Sequence, residues 1–388
     1  MLFLGWLVYF SFGMVSSSLA PLVSFIRDEL NLTYSQFGTV LGAWPLTYIA
    51  VSFLEGMLID RIGIRKSITL GVLFLSMSAL LRSAAWDYAT LFTAVAIFGL
   101  GGPMISIGLP KLIAGWFSGR ERGTATGIYI TGSTLGMSFS LALTNSLILP
   151  LAGNWRNTCI AYGVAAFLIA ALWLVAAREA PENISKNENG KASSTGRNYS
   201  AVIKHRDVWL VVIIGFSGFM TGHGLKNWLP QIYELNGMTA SEAGFLASVP
   251  TIVGALGSII INRTAARLTS RKTVMIVLLA ISSIGIYLVT TLTGPVVWAI
   301  AVVYGFCSGA LLPLLMLVLM EMRDIGQKLM GTAGGLFFTI GELGGFSGPT
   351  IMGYLKDHTG TFIPSVVMLS VINGIMILPA LVLDERRT

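Results

Sequence analysis

The sequence predicts an all-α membrane protein with twelve transmembrane helices in two pseudo-symmetric six-helix bundles, and three observations carry that expectation. The first is composition. Of 388 residues, 54% are hydrophobic and only 11% charged, whereas a soluble globular chain carries about 25% charge. So few charges cannot clothe a water-soluble protein of this size, and those present are bunched between long apolar runs. The second is run length: the runs extend over roughly 20–25 residues, the reach of a helix across hydrocarbon, and lack the alternation over about 10 residues that marks a membrane barrel strand. The third is that one long polar stretch divides the runs six and six.

Taken in order, the apolar runs fall near 2–26, 37–59, 68–86, 90–117, 123–149 and 157–177, then 208–232, 243–262, 273–293, 296–319, 329–353 and 361–383. The first lacks the basic leader and small-residue cleavage site of a signal peptide and is expected to be a retained span. Between the sixth and seventh lies Asn183-Ile184-Ser185-Lys186-Asn187-Glu188-Asn189-Gly190-Lys191 and its surroundings, with the composition of a flexible linker. The predicted units are therefore a first bundle over 1–177, a linker over 178–207 and a second bundle over 208–388. Most of the 25 Lys and Arg fall in the linker, in alternate loops or at the C-terminus, which places both termini in the cytoplasm by the positive-inside rule. The net charge of +7 is thereby a topology signal, and no nucleic-acid partner is expected. Cys159 and Cys307 lie apart in separate apolar runs and suggest neither a disulfide nor a metal site.

The second half echoes the first. A shift of 206 carries Arg61 onto Arg267, Arg65 onto Arg271 and Lys66 onto Lys272, and a shift of 208 carries Gly123-Thr124-Ala125 onto Gly331-Thr332-Ala333 and Gly136 onto Gly344. Internal repeats of this kind build a midplane site that faces either side of a membrane in turn.

After the second span the chain reads Gly56-Met57-Leu58-Ile59-Asp60-Arg61-Ile62-Gly63-Ile64-Arg65-Lys66. This resembles the loop signature of the major facilitator superfamily, in the place where that family keeps it, with a degenerate copy after span eight in which Ala266 and Thr269 replace the aspartate and glycine. The resemblance implies a secondary transporter that alternates access between two helical bundles. Asp60 at a helix end is expected to latch the halves through backbone amides or a neighbouring helix's basic residues, with Glu55, Gly56, Arg61, Gly63 and Arg65 as its gating companions. The basic residues also suit the anionic inner leaflet. Within the family, Gly99–Gly102, Pro110, the run Trp116 to Gly127, Trp228-Leu229-Pro230 and Ser241-Glu242-Ala243-Gly244 look like the cyanate and nitroimidazole branch. The drug-exporter signature in span five is not matched: Gly127, Gly132 and Gly136 stand there, and Gly344, Gly348 and Pro349 fall in span eleven.

Ionisable groups inside spans cost about 2.5–3.5 kcal/mol or more, so each calls for a partner or a task. Lys226, with His223, Asn227 and Trp228 close by, suits a small anion; the alternative is a lysine that snorkels to the interface. Lys111, after Pro110, would add positive charge on the other side of the midplane, or snorkel likewise. Glu342, midway along span eleven, is the candidate for a co-transported proton, against a neutral structural role. Ser17, Thr131 and Thr134 complete the expected binding set, though small residues also tighten helix packing. Arg82 is expected to reach the outer interface and pair with Asp87, and Arg27 to pair with Asp28 and Glu29.

The resulting expectation is a secondary transporter of a small organic or inorganic anion, coupled to protons or to exchange. It would sit in the plasma membrane as a monomer and use no cofactor or metal. Proton-driven efflux of drug-like compounds and a non-transporting sensor are the alternatives. An enzyme is not expected, because three scattered His (His205, His223, His358) and two lone Cys make no catalytic constellation.

Overall fold

A computed structural model describes residues 1–178, 202–265, 270–322 and 325–383, almost entirely as helix. The first apolar run is not one rod: α1 (Leu2–Ser17) gives way to a tight turn at Ala20–Leu22, and α2 (Val23–Leu30) completes the crossing. Pro21, lacking an amide hydrogen, cannot continue the helical ladder. Next come α3 (Tyr34–Ile62), α4 (Ile64–Ser83), α5 (Tyr88–Trp116) and α6 (Gly119–Leu143). A π-helical turn and the short α7 (Leu149–Ala152) prolong α6, and α8 (Trp155–Ala176) closes the first half. The second half holds α9 (Arg206–Leu235), α10 (Ala240–Ala265), α11 (Arg271–Thr291) and α12 (Val296–Glu321), then α13 (Gly326–Thr359), α14 (Ile363–Ile375) and α15 (Ile377–Val382). Among the described residues ten helical segments are long and apolar enough to cross a membrane, and bent α3 makes an eleventh. Most of the linker and the degenerate loop positions 266–269 lie outside the described residues.

Local chemistry sets the boundaries. Thr33 and Gln36 cap α3 reciprocally, Asp87 and Thr90 do the same for α5, and each pair satisfies two otherwise orphaned amides. Gly63 sits at φ +87° between α3 and α4, a conformation open to glycine and strained for other residues, which is the reason for that glycine in the loop signature. Asp60, Arg65 and the 202–204 turn mark one end of the assembly, here termed the linker end. The opposite, far end carries Asn31, Gly153, Gly237 and Gly360 in left-handed turns.

The repeat seen in the sequence has a structural counterpart. Where α1 crosses α6, a Cβ on Gly136 would lie 2.0 Å from the Phe10 carbonyl oxygen and 2.8 Å from Met14 N. Where α9 crosses α13, a Cβ on Gly344 would lie 2.4 Å from Phe216 O and 3.2 Å from Met220 N. Phe10 and Met14 map onto Phe216 and Met220 by a shift of 206, so both halves build the same backbone-to-backbone crossing. The halves meet each other along α3 against α13 and α6 against α10.

Arg82 departs from the sequence expectation. It is 1% exposed and donates to Val15 O at 3.0 Å, Ser18 Oγ at 3.0 Å and Ser78 Oγ at 3.1 Å, not to Asp87. The break after Ser17 leaves carbonyls that a guanidinium fork satisfies, so Arg82 staples the interrupted first span from within. Arg27 pairs with Asp28 at 2.8 Å, while Glu29 is taken by Arg156 at 2.9 Å.

Candidate transport cavity

The far end is shut. Asp357 at the end of α13 accepts from Tyr34 N at 3.0 Å, Ser35 N at 2.6 Å and Ser35 Oγ at 2.5 Å, which caps the positive start of α3 with a carboxylate from the other half of the chain. Beneath it Trp228 packs among Tyr34, Phe37 and Phe362 and donates to Pro349 O at 2.9 Å. On the other side Asn145 donates to Pro21 O at 2.8 Å and Ala240 O at 3.3 Å. At the linker end a Cβ on Gly56, Gly123, Gly127, Gly331 or Gly335 would meet nothing within 4 Å. The interior is therefore reached from the linker end.

Asp357→Asn removes the charge but keeps the shape, and the exposed setting limits the loss to about 1 kcal/mol. The expected result is labelling of a Thr350→Cys reporter by an impermeant maleimide about five-fold faster. An unchanged rate would show that Asp357 does not hold the far end closed.

A cavity of about 490 Å³ lies between α6, α9, α10 and α12, lined by Thr131, Thr134 and Met137 on one side and Thr221, Lys226, Tyr304 and Ser308 on the other. Among the described residues Lys226 is the single charged side chain in its wall. Its Nζ reaches Met137 Sδ at 3.5 Å, and among the described residues it has no salt-bridge partner. A thioether is a weak acceptor, so the ammonium is left with unspent hydrogen-bonding capacity facing open space. Behind it Glu342 is 7% exposed, with Oε2 at 3.8 Å from His223 Nε2 and within electrostatic range of Lys226. Trp44 from the first half lies against His223 at 5.4 Å, and Phe219 stacks on it at 6.1 Å.

Two sequence-derived candidates line this cavity besides Lys226, namely Thr131 and Thr134; Trp6 donates to Thr131 at 3.0 Å. The others are placed elsewhere. Trp228 is part of the far-end plug. Asn227 is buried with Nδ2 unpartnered, and Ser17 is buried on α1 with its hydroxyl unpartnered; neither lines the cavity. Lys111 pairs with Asp60 at 2.5 Å, because the helix length of α5 carries it to the linker end beside the end of α3. Among the described residues Asp60 is thus held by a residue of its own half and bridges to none of the other half. Arg65 donates to Leu174 O, Arg61 is exposed, and Glu55 is buried against the Met104 backbone. Sequence reading missed Thr221, Tyr304 and Ser308. Tyr304 and Ser308 stand at i and i+4, a polar stripe on an otherwise apolar helix. Among the described residues no three His, Cys, Asp or Glu gather as for a metal ion.

A family model described as Major Facilitator Superfamily matches residues 5–349. The chain belongs to the major facilitator superfamily. It is accordingly an integral multi-pass membrane transporter and not an enzyme. The hexuronate transporter of Bacillus subtilis (strain 168) is 24% identical to this superfamily member over 365 residues, which cover 89% of this chain and 85% of the relative. A quinolone resistance transporter of Acinetobacter baumannii is 26% identical over 377 residues, covering 89% and 84%. Among solved structures, a bacterial homolog of the human lysosomal transporter Spinster, in an inward-facing and occupied conformation, superposes with a TM-score of 0.81 over 100% of this chain and 96% of that one, at 16% identity.

Proposed function

We propose that this major facilitator protein carries a small hydroxylated organic anion, driven by protons, and that the carboxylate of the substrate docks on Lys226. The observation that carries the reading is an ammonium with no ion-pair partner among the described residues, in the wall of a cavity otherwise lined by hydroxyl, amide and apolar groups. A charge held away from bulk water is costly, and an anionic substrate offsets that cost. Glu342 is the coupling residue: ionised, it balances Lys226 across a short distance; protonated, it leaves Lys226 free to attract an anion. Substrate and proton thereby favour each other's binding.

Twelve spans in two bundles, 1–177 and 208–388, joined by the 178–207 linker, would rock about this site. The linker end would face the cytoplasm, since it carries the greater share of Lys and Arg. The plasma membrane is the expected location and the monomer the working unit. A relative that carries hexuronates, which are hydroxylated carboxylates, agrees with the proposed chemistry.

The second reading, proton-driven efflux of drug-like compounds, is favoured by the quinolone resistance relative and by the apolar part of the cavity wall. Proteoliposomes separate the two. Labelled D-galacturonate is expected to accumulate when the outside is made acidic, and norfloxacin is not expected to compete. If galacturonate and other small carboxylates neither accumulate nor compete while norfloxacin is extruded, the anion reading falls.

A further inference from the structure

A second cavity, of about 640 Å³, lies between α3, α5 and α13 toward the linker end. Tyr48, Ser52, Thr332 and Thr339 line it together with apolar groups, and among the described residues no lining side chain is charged. The space is far above the roughly 10–15 Å³ that one water requires.

Two buried carboxyl groups, neither in its lining, stand on the helices that wall it: Glu55 one turn from the lining residue Ser52 on α3, and Glu342 one turn from Thr339 on α13. On α3, Tyr48, Ser52 and Glu55 stand at i, i+4 and i+7, one face of the helix. On α13, Thr339 precedes Glu342 by three residues. Helical side chains lean back toward the helix start, so the Glu342 carboxyl lies over the Thr339 turn. Tyr48 Oη is 2.7 Å from Ser106 Oγ of α5 and within electrostatic range of both Glu342 and Glu55. Glu342 is 7% exposed and Glu55 6%, and Oε2 of each is a buried atom with no hydrogen-bond partner. Buried carboxyl oxygens left without a hydrogen bond are costly, and a proton or a water removes that cost.

We propose that this second cavity is a proton route, running from Glu55 through the hydroxyls of Ser52 and Tyr48 to Glu342, physically separate from the cavity that takes the anion. The proposal rests on Glu342 as the coupling residue. In each passage the Glu55 O–H bond breaks and its proton goes to Ser52 Oγ, directly or through an intervening water. Ser52 releases its own hydroxyl proton toward Tyr48, and Tyr48 releases its own to the Glu342 carboxylate, where a new O–H bond forms. Both hydroxyls end neutral, and the Glu55 carboxylate is reprotonated from water at the linker end.

Separation has an electrostatic basis. The ammonium of Lys226 raises the energy of an excess proton in the anion cavity, whereas the described walls of the second cavity carry no cation to impose such a barrier. The groups facing Glu342 are His223 and Lys226 from α9 and Tyr48 from α3; those facing Glu55 are Tyr48 and the Met104 backbone. Trp44 and Phe219 lie against His223, so the route from the linker end reaches Glu342 by way of Tyr48.

The test uses full-length protein in lipid, transferred to D2O and followed by infrared spectroscopy. The carboxylic-acid stretch of Glu342 is assigned as the band lost in Glu342→Gln. Its deuteration is expected to slow at least about ten-fold in the Tyr48→Phe/Ser52→Ala variant, as removal of a relay slows proton transfer. Proteoliposomes supply the second arm: counterflow of labelled D-galacturonate is expected to stay within about two-fold of the parent, while uptake driven by a pH gradient falls at least about ten-fold. Equal deuteration rates in parent and variant, or the absence of any Glu342 acid band between about pH 5 and 8, the span in which a coupling group must titrate, would overturn the route. Failure of galacturonate to exchange in the parent would instead count against the anion reading, leaving the infrared arm to judge the proton path.

Discussion

Lys226→Ala is expected to weaken binding of a small carboxylate by about 10²-fold, since losing a charge-assisted partner in a desolvated site costs about 3 kcal/mol. Isothermal titration with D-galacturonate, or the substrate-induced rise in unfolding temperature, reads this directly. The variant should fold, because the hydrogen-bond contact of the Lys226 ammonium is the Met137 thioether at 3.5 Å, and buried Glu342, whose charge Lys226 balances, can take up a proton when that cation is removed. Lys226→Arg keeps the positive charge and offers a fork that matches a carboxylate, so it is expected to retain more binding than Lys226→Ala. Glu342→Gln, which fixes a neutral group beside Lys226, should retain binding and lose its dependence on pH. Unchanged affinity in Lys226→Ala would remove the anion from this cavity.

Gly136→Val is expected to prevent folding of the first half. The new Cβ would fall 2.0 Å from Phe10 O and 2.9 Å from its carbonyl carbon, and backbone, unlike a flexible side chain, cannot turn aside. α1 and α6 would have to separate along their whole crossing, costing more than about 3 kcal/mol out of a total stability of roughly 5–15 kcal/mol. Gly344→Val should act alike on α9 and α13, by the same contact with Phe216 O. Gly123→Ala is the control: nothing lies within 4 Å of that position, and its effect should stay within about 0.5 kcal/mol. Detergent-solubilised yield and unfolding temperature check all three. A well-folded Gly136→Val would contradict the close crossing.

Much of the helical framework was legible because hydrocarbon imposes it. Satisfying every backbone amide without water leaves long apolar helices, so the runs near 208–232 and 243–262 fall within α9 and α10. Capping residues such as Thr33 and Asp87, and glycine at φ +87° in the loop after α3, set boundaries by local chemistry alone. The break in the first span was less legible, since Pro21 sits in an otherwise continuous apolar run, and only the fold brings Arg82 to staple it.

The site divides along the same line. That Lys226 and Glu342 needed partners or tasks followed from the cost of charge in a bilayer, which depends on residue type and depth and is therefore written in the sequence. Which partner each one meets was decided in three dimensions. Lys111 carries the same charge as Lys226 and lies equally within an apolar run, yet α5 delivers it to Asp60 at 2.5 Å, while α9 turns Lys226 into a cavity. Trp228, two residues beyond Lys226, points to the far-end plug because successive side chains on a helix diverge by about 100°. The sequence alone determined a chain of membrane-crossing helices, a glycine repeated between the halves, and which charged residues fall inside apolar runs. Tertiary structure alone decided which of those charges were neutralised and which faced open space, because the energy of a buried ion depends on groups that folding brings near from far along the chain.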